Sequence, residues 1–279
     1  MLKPKKKITK REIRHDPLLE TLYSLQKYFA QHKRKIILPT ILLLIIIVTL
    51  LIVSRRNAAE QAESNIILAR AVSYMNTNTE ESINEFDNLL MTFPESEASI
   101  EAHFHMGRIY LALDSTNAAK VHFDTYLELA PEGLFSPAAM SQLANIALYN
   151  DEPALAGELF ENAGEKSSVN YIKAVNKLNA VEAFITAAEI ASEAAEEAEG
   201  AVEDAQAALA ALDDNASDED IAAAQAAVTA AESVLEEAAE AQADAVGEAA
   251  EILKSISINP QIEPRYETLI TRISRSSNK

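Results

Sequence analysis

Residues 101–132 read EAHFHMGRIYLALDSTNAAKVHFDTYLELAPE, and a step of 37 residues leads from this stretch to related ones on either side. Phe86, Phe123 and Phe160 keep that step, as do Ser82, Ala119 and Ala156, then Leu89, Tyr126 and Ala163, and Pro94 with Pro131. A fixed period of about 20 to 50 residues is the signature of stacked supersecondary units, none of which buries its apolar face alone. Two helices of such a unit must cross closely. Small residues let the backbones approach, Tyr and Phe fill the space beside them, and proline ends the second helix. The flanking copies are more degenerate: Arg70 and Ser73, or Ala144 and Ala147, stand where the middle copy has Gly107 and Tyr110.

Gly107, Tyr110, Ala119, Phe123 and Pro131 resemble the small, aromatic, small, aromatic and breaker positions of a tetratricopeptide repeat, with His103 where that family favours Trp. The resemblance implies an array of helical pairs over residues 54–180, with Phe86 and Phe160 as the packing aromatics of the neighbouring units. That family has a period of about 34 residues, so the longer step here places roughly three extra residues in surface loops.

A fourth unit opens at Tyr171 (YIKAVNKLNAVEAF), but a second-helix-like stretch, EILKSISINP, ends only at Pro260, far behind the 37-residue step. The intervening residues 181–252 read as an inserted antiparallel coiled-coil hairpin. Phe184, Ala188, Ala191, Ala195, Ala198, Val202, Ala205, Leu209 and Leu212 alternate at spacings of three and four, the pattern of a coiled-coil seam. After Asp213-Asp214-Asn215-Ala216, Ser217 and Asp220 make a capping-box-like start. Ile221, Ala224, Val228, Ala231, Leu235, Ala238, Gln242, Ala245, Ala249 and Ile252 carry the second seam, broken only by Gln242. An arm of ~30 residues would reach on the order of 45 Å.

Between Lys177 and Lys254 the chain has 20 Asp+Glu and no Lys or Arg. Two readings stay open: a solvated outer face that keeps an alanine-rich hairpin soluble, or an arm for a basic partner. In residues 253–279 the repeat ends, and a short helix over 264–273, with Tyr266, Leu269, Ile270 and Ile273, caps the array.

Residues 36–53, IILPTILLLIIIVTLLIV, carry no charge and lie between Lys33-Arg34-Lys35 and Arg55-Arg56. Such a run is long enough to span a bilayer core. It is too long, and starts too far from the N-terminus, to match a cleaved signal peptide. Residues 1–35 hold 11 Lys+Arg against 3 Asp+Glu, and the rest of the chain holds 13 against 40. Basic flanks stay cytoplasmic, so the expectation is a single-pass inner-membrane protein with its N-terminus in the cytoplasm and its C-terminal domain in the periplasm. In the basic tail, Leu18, Leu22, Leu25 and Phe29 form one helical stripe, with Asp16 as N-cap and Pro17 at the first helical position. That helix either lies on anionic lipid or docks a membrane partner.

With no cysteine, neither disulfides nor Cys-ligated metals are available, and the net charge of -19 disfavours nucleic acid as a partner. His15, His32, His103, His105 and His122 make no metalloprotease pattern, and six glycines are too few to suggest a phosphate-cradling loop. The expectation is no enzyme, no catalytic residue, no metal and no cofactor. Protein binding is expected on first-helix residues of the concave side, His105, Arg108 and Asn145.

Basic tail, single anchor and degenerate outer repeats together resemble the ancillary subunit of the bacterial Sec translocon, over roughly 16–181 and 252–273, with the acidic hairpin departing from it. The resemblance implies a non-enzymatic scaffold holding proteins or peptides near the channel and its periplasmic chaperones. The alternatives are an envelope signalling regulator acting through the cytoplasmic tail, and an envelope-assembly factor.

Overall fold

The structure, a computed structural model, describes residues 17–31, 33–212, 216–258 and 260–276. The start of the basic tail at 1–16 with His15 and the Asp16 cap, His32, the link at 213–215, and residues 259 and 277–279 of the closing segment lie outside that set. Among the described residues there are ten helices and no strand: α1 (Pro17–Gln31), α2 (Lys33–Tyr74), α3 (Thr79–Thr92), α4 (Glu97–Ala112), α5 (Thr116–Leu129), α6 (Ser136–Tyr149), α7 (Pro153–Lys166), α8 (Asn170–Ala210), α9 (Asp218–Ser255) and α10 (Glu263–Ser276). The chain divides into two units, Met1–Glu63 and Ser64–Lys279.

In the first unit, Leu22, Leu25 and Phe29 of α1 are all exposed. Helix α2 contains an 18-residue window of mean hydropathy 3.0, none of it buried, and is long and apolar enough to cross a membrane. An exposed apolar surface of that length is costly in water. The helix does not stop where the apolar run does. Residues 57–74 contain neither Gly nor Pro, so nothing breaks it, and Arg56 pairs with Glu60 one turn on at 2.7 Å.

In the second unit, α3 packs on α4, and each later helix packs on the next as far as α9, while α10 lies on both α8 and α9. The 37-residue step is visible in what is buried. Phe86, Phe123 and Phe160 occupy equivalent places on α3, α5 and α7 and are all buried, as are Ser82, Ala119 and Ala156. The same step organises the alternate helices: Ala102, Ala139 and Asn176, then Met106, Leu143 and Ala180, then Ile109, Ile146 and Ala183, are buried on α4, α6 and α8. Polar bonds repeat as well. The Ser99 hydroxyl donates to the Phe93 carbonyl at 2.6 Å, and Ser136, 37 residues on, donates to the Ala130 carbonyl at 2.7 Å. Each buried hydroxyl donates to the carbonyl of the residue that ends the preceding helix, which also accepts a backbone N–H, from Ser96 and Gly133 respectively.

The turns inside the units share one geometry. Asp114 and Asp151 both have positive φ, 54° and 61°. Ser115 N–H donates to Tyr110 and Asp114 N–H to Leu111; likewise Glu152 N–H donates to Ala147 and Asp151 N–H to Leu148. This paired bonding is a Schellman motif whose left-handed residue is Asp, a residue that tolerates that region better than most.

Helices α8 and α9 are antiparallel, since Lys177 near the start of α8 donates to Ser255 at the end of α9 at 2.8 Å. Over 193–210 of α8 and 218–244 of α9, the seam positions named above are the only ones not exposed. Helix α9 starts with reciprocal capping: Asp220 N–H donates to the Ser217 hydroxyl, and Ser217 N–H to the Asp220 carboxylate. Helix α10 buries Leu269 against this pair and runs parallel to α8: Arg265 meets Glu182 and Asn179, and seven residues later Arg272 meets both oxygens of Glu189 at 3.0 Å.

Candidate functional site

The residues expected to bind a partner come from α4 and α6. Arg108 is exposed, its guanidinium carbon 6.0 Å from the centre of the Phe104 ring, at the outer limit of a cation–π contact. Asn145 on α6 is exposed too. His105 is not on that surface. It is 9% exposed, stacked on Phe86 with ring centres 6.0 Å apart and edge-on to Phe104 and Phe135. Its Nδ1 is buried without a hydrogen-bond partner. The reason is packing rather than pitch: three residues apart on a helix, positions 105 and 108 point only about 60° apart, but His105 falls on the side pressed by Phe86 of α3 and by Phe135 in the segment before α6. Burial first, and the positive charge of Arg108 second, push the imidazole pKa down to about 4.

The packing residues sit between helices. Gly107 of α4 faces the ring of Phe123, Ala119 is fully buried, and Tyr110 is half-buried against His122, rings 5.3 Å apart and nearly parallel. Phe86 and Phe160 lie in separate apolar clusters, and Pro131 is exposed in the turn after α5. Phe104 and Phe135 stack with ring centres 4.5 Å apart, closing the junction between α4 and the start of α6.

Sequence reasoning missed one close pair. The Nδ1 atoms of His103 and His122 are 3.0 Å apart, across α4 and α5. One ring donates and the other accepts, so the contact requires an uncharged acceptor. Burial holds both imidazoles below the usual range, and for His122 the charge of His103 adds to it while Asp87 opposes it. The two are 19 residues apart, and only the α4–α5 turn makes them neighbours. The signal available was that each occupies a half-buried flank of its helix. Among the described residues no group of three or more His, Cys, Asp or Glu is arranged to hold a metal.

No protein-family model, curated protein or solved structure matches the chain.

A further concavity lies elsewhere in this unit, where the start of α7 meets α8 and α9. It is a groove of about 1130 Å³ with Leu155, Phe184, Ala187 and Ile190 among its apolar lining. Gly157 supports the crossing beneath it, since a Cβ there would lie 2.7 Å from the Phe184 ring.

Proposed function

We propose that the chain is a non-enzymatic, membrane-anchored scaffold: one transmembrane helix, tetratricopeptide-like repeats, and an acidic coiled-coil hairpin inserted in the last of them. The observation that carries this reading is the pairing of a wholly exposed apolar window in α2 with a repeating helical core in the second unit. Repeat arrays expose extended surface in proportion to their length and serve as platforms for proteins and peptides. The repeating burial, the repeated serine bonds and the paired Asp turns support a tandem array. The seam of α8 and α9 supports a coiled-coil arm.

The charge asymmetry favours a cytoplasmic N-terminus and a periplasmic second unit in an inner membrane. In that setting the Sec translocon and its chaperones are the proposed neighbours, with lipid contacting the anchor and basic tail. The exposed apolar stripe of α1 favours the second reading, in which the tail binds a cytoplasmic regulator and the outer unit senses the envelope.

In-cell crosslinking followed by mild-detergent purification of the full chain tests the first reading. Recovery of the Sec channel with periplasmic chaperones is the expected result. Recovery of a signalling complex without the channel would replace it with the second, and recovery of a wall-synthesis complex would replace it with the envelope-assembly reading.

A further inference from the structure

The groove beside α7 has features that the repeat stack does not require. Helix α7 has 14 residues and α8 has 41, so α8 and α9 run on past the first residues of α7, and on that face no further helix among the described residues covers them. There Leu155 is 43% exposed and Ile190 50% exposed, with the buried Phe184 ring between α7 and α8. Around this apolar strip stand Asp151, Glu158, Asp244, Glu248 and Glu251, and among the described residues no Lys or Arg lines the groove. The carboxyl of Glu161, one turn along α7, is held above the usual range by burial first, then by Glu165 and Glu248.

The other side of the same helix pair shows what chemistry fits it. There α10 lies on α8 and α9 with Leu269 buried and Tyr266 and Ile273 packed beside it. Its Arg265 and Arg272, seven residues apart, meet Glu182 and Glu189, also seven apart. On α8 the groove uses positions 184, 187, 190 and 191, whereas α10 meets 182 and 189 and borders 188, 192 and 193. At about 100° per residue these are opposite faces. One face therefore holds a cationic amphipathic helix from the chain itself, and the other presents the same apolar and acidic surface uncovered.

We infer that the groove formed by α7, α8 and α9 is a docking site for a basic amphipathic helix of a partner protein, which lies on α8 and α9 opposite α10. Its apolar stripe covers Leu155 and Ile190, and its Lys and Arg residues meet the carboxylates of Glu158, Asp244, Glu248 and Glu251. Helix-in-groove recognition takes anchors at i, i+3, i+4 and i+7 from one apolar face, and opposed charges set register and speed encounter. A second copy of the chain fits less well, because the outer unit is itself strongly acidic. The inference deepens the scaffold reading and rests on it.

The test uses the full chain in nanodiscs of zwitterionic lipid, with empty nanodiscs subtracted. The probe is a fluorescent helical peptide of leucine and lysine with leucines on one face, compared with a scrambled peptide of the same composition. Saturable binding about tenfold tighter for the amphipathic peptide is expected. Leu155→Ser with Ile190→Ser, and separately Glu248→Lys, should each weaken it about fivefold or more, while Glu236→Gln with Glu237→Gln on the outer arm should leave it unchanged. Circular dichroism confirms that each variant is folded; Glu248→Lys alters an exposed side chain, so it keeps the test decisive if the double variant unfolds. Equal binding of the two peptides, or binding indifferent to the folded groove variants, overturns the inference. A concentration-dependent dimer that Ile190→Ser abolishes also overturns it, in favour of a second copy. Crosslinked recovery of partners in cells that persists with Glu248→Lys would leave the scaffold standing without this groove.

Discussion

Gly107 on α4 presents its bare Cα to the ring of Phe123 on α5: a Cβ there would lie 2.7 Å from Cε1 and 2.8 Å from Cζ of the ring. Phe123 is fully buried, so the ring has no open space to enter.

Gly107→Ala should therefore destabilise the second unit by about 1–3 kcal/mol, despite the better helix propensity of alanine. Gly200 on α8 and Gly247 on α9 have nothing within 4 Å of the Cβ position, and Ala at either should stabilise by about 0.5–1 kcal/mol. Chemical denaturation of the three variants gives opposite signs if the contact is correct. A Gly107→Ala variant as stable as the parent would contradict it.

His105 should make the second unit sensitive to acid. Its folded pKa is depressed to about 4, against an unfolded value of about 6.5. The unfolded chain thus binds more protons between those values, and stability falls as pH drops through that window. A depression of that size corresponds to roughly 3 kcal/mol, fully lost only below the folded value. His103 and His122 shift in the same direction. His105→Phe, which removes the unpaired Nδ1 and keeps an aromatic ring, should flatten the loss seen between pH 6.5 and 4. Thermal melts across that range measure it.

Asp114 holds φ at 54° in the turn joining α4 to α5. Asp114→Gly should be neutral to stabilising, by up to about 1 kcal/mol, because glycine enters this region freely. Asp114→Val should cost about 1–2 kcal/mol through its β-branch. Equal melting temperatures for the two variants would show that the turn relaxes to another geometry.

Salt should act in opposite directions on the two faces of the α8–α9 pair. The outer arm carries like charges with no Lys or Arg between 177 and 254, so screening should raise amide protection over 195–240. The exposed pairs Arg265–Glu182 and Arg272–Glu189 lose attraction under the same screening, and α10 should exchange faster. Hydrogen exchange of the full chain at low and high salt reads both. Arm protection that falls with added salt would show that like-charge repulsion does not govern the stability of the arm.

Much of this architecture was legible because it depends on spacing along the chain. The seam of α8 and α9 could be written out residue by residue, since a stripe at three-four spacing has one way to face a neighbour. The apolar span was legible for the same reason: an uncharged run of that length is read directly along the chain, and α2 is long and apolar enough to cross a membrane. The exposure of the residues expected to bind was not all legible. Arg108 and Asn145 are exposed, but His105 turns inward, because its direction depends on how α3 and the segment before α6 press on α4. Ser99 and Ser136 keep the same step in the sequence, but an isolated serine carries no signal without its carbonyl partner, so their repeated bonds were not legible there.

The sequence by itself determined the helical class, the apolar span, the 37-residue step and the apolar seam with its acidic outer face, because periodicity and charge order are properties of neighbours along the backbone. Only the tertiary structure decided that His103 meets His122, that α10 pairs its arginines with α8, and that a groove stays open beside α7. Those depend on where helices of unequal length end against one another in space, and contacts between residues 19 or 83 positions apart have no trace in local spacing.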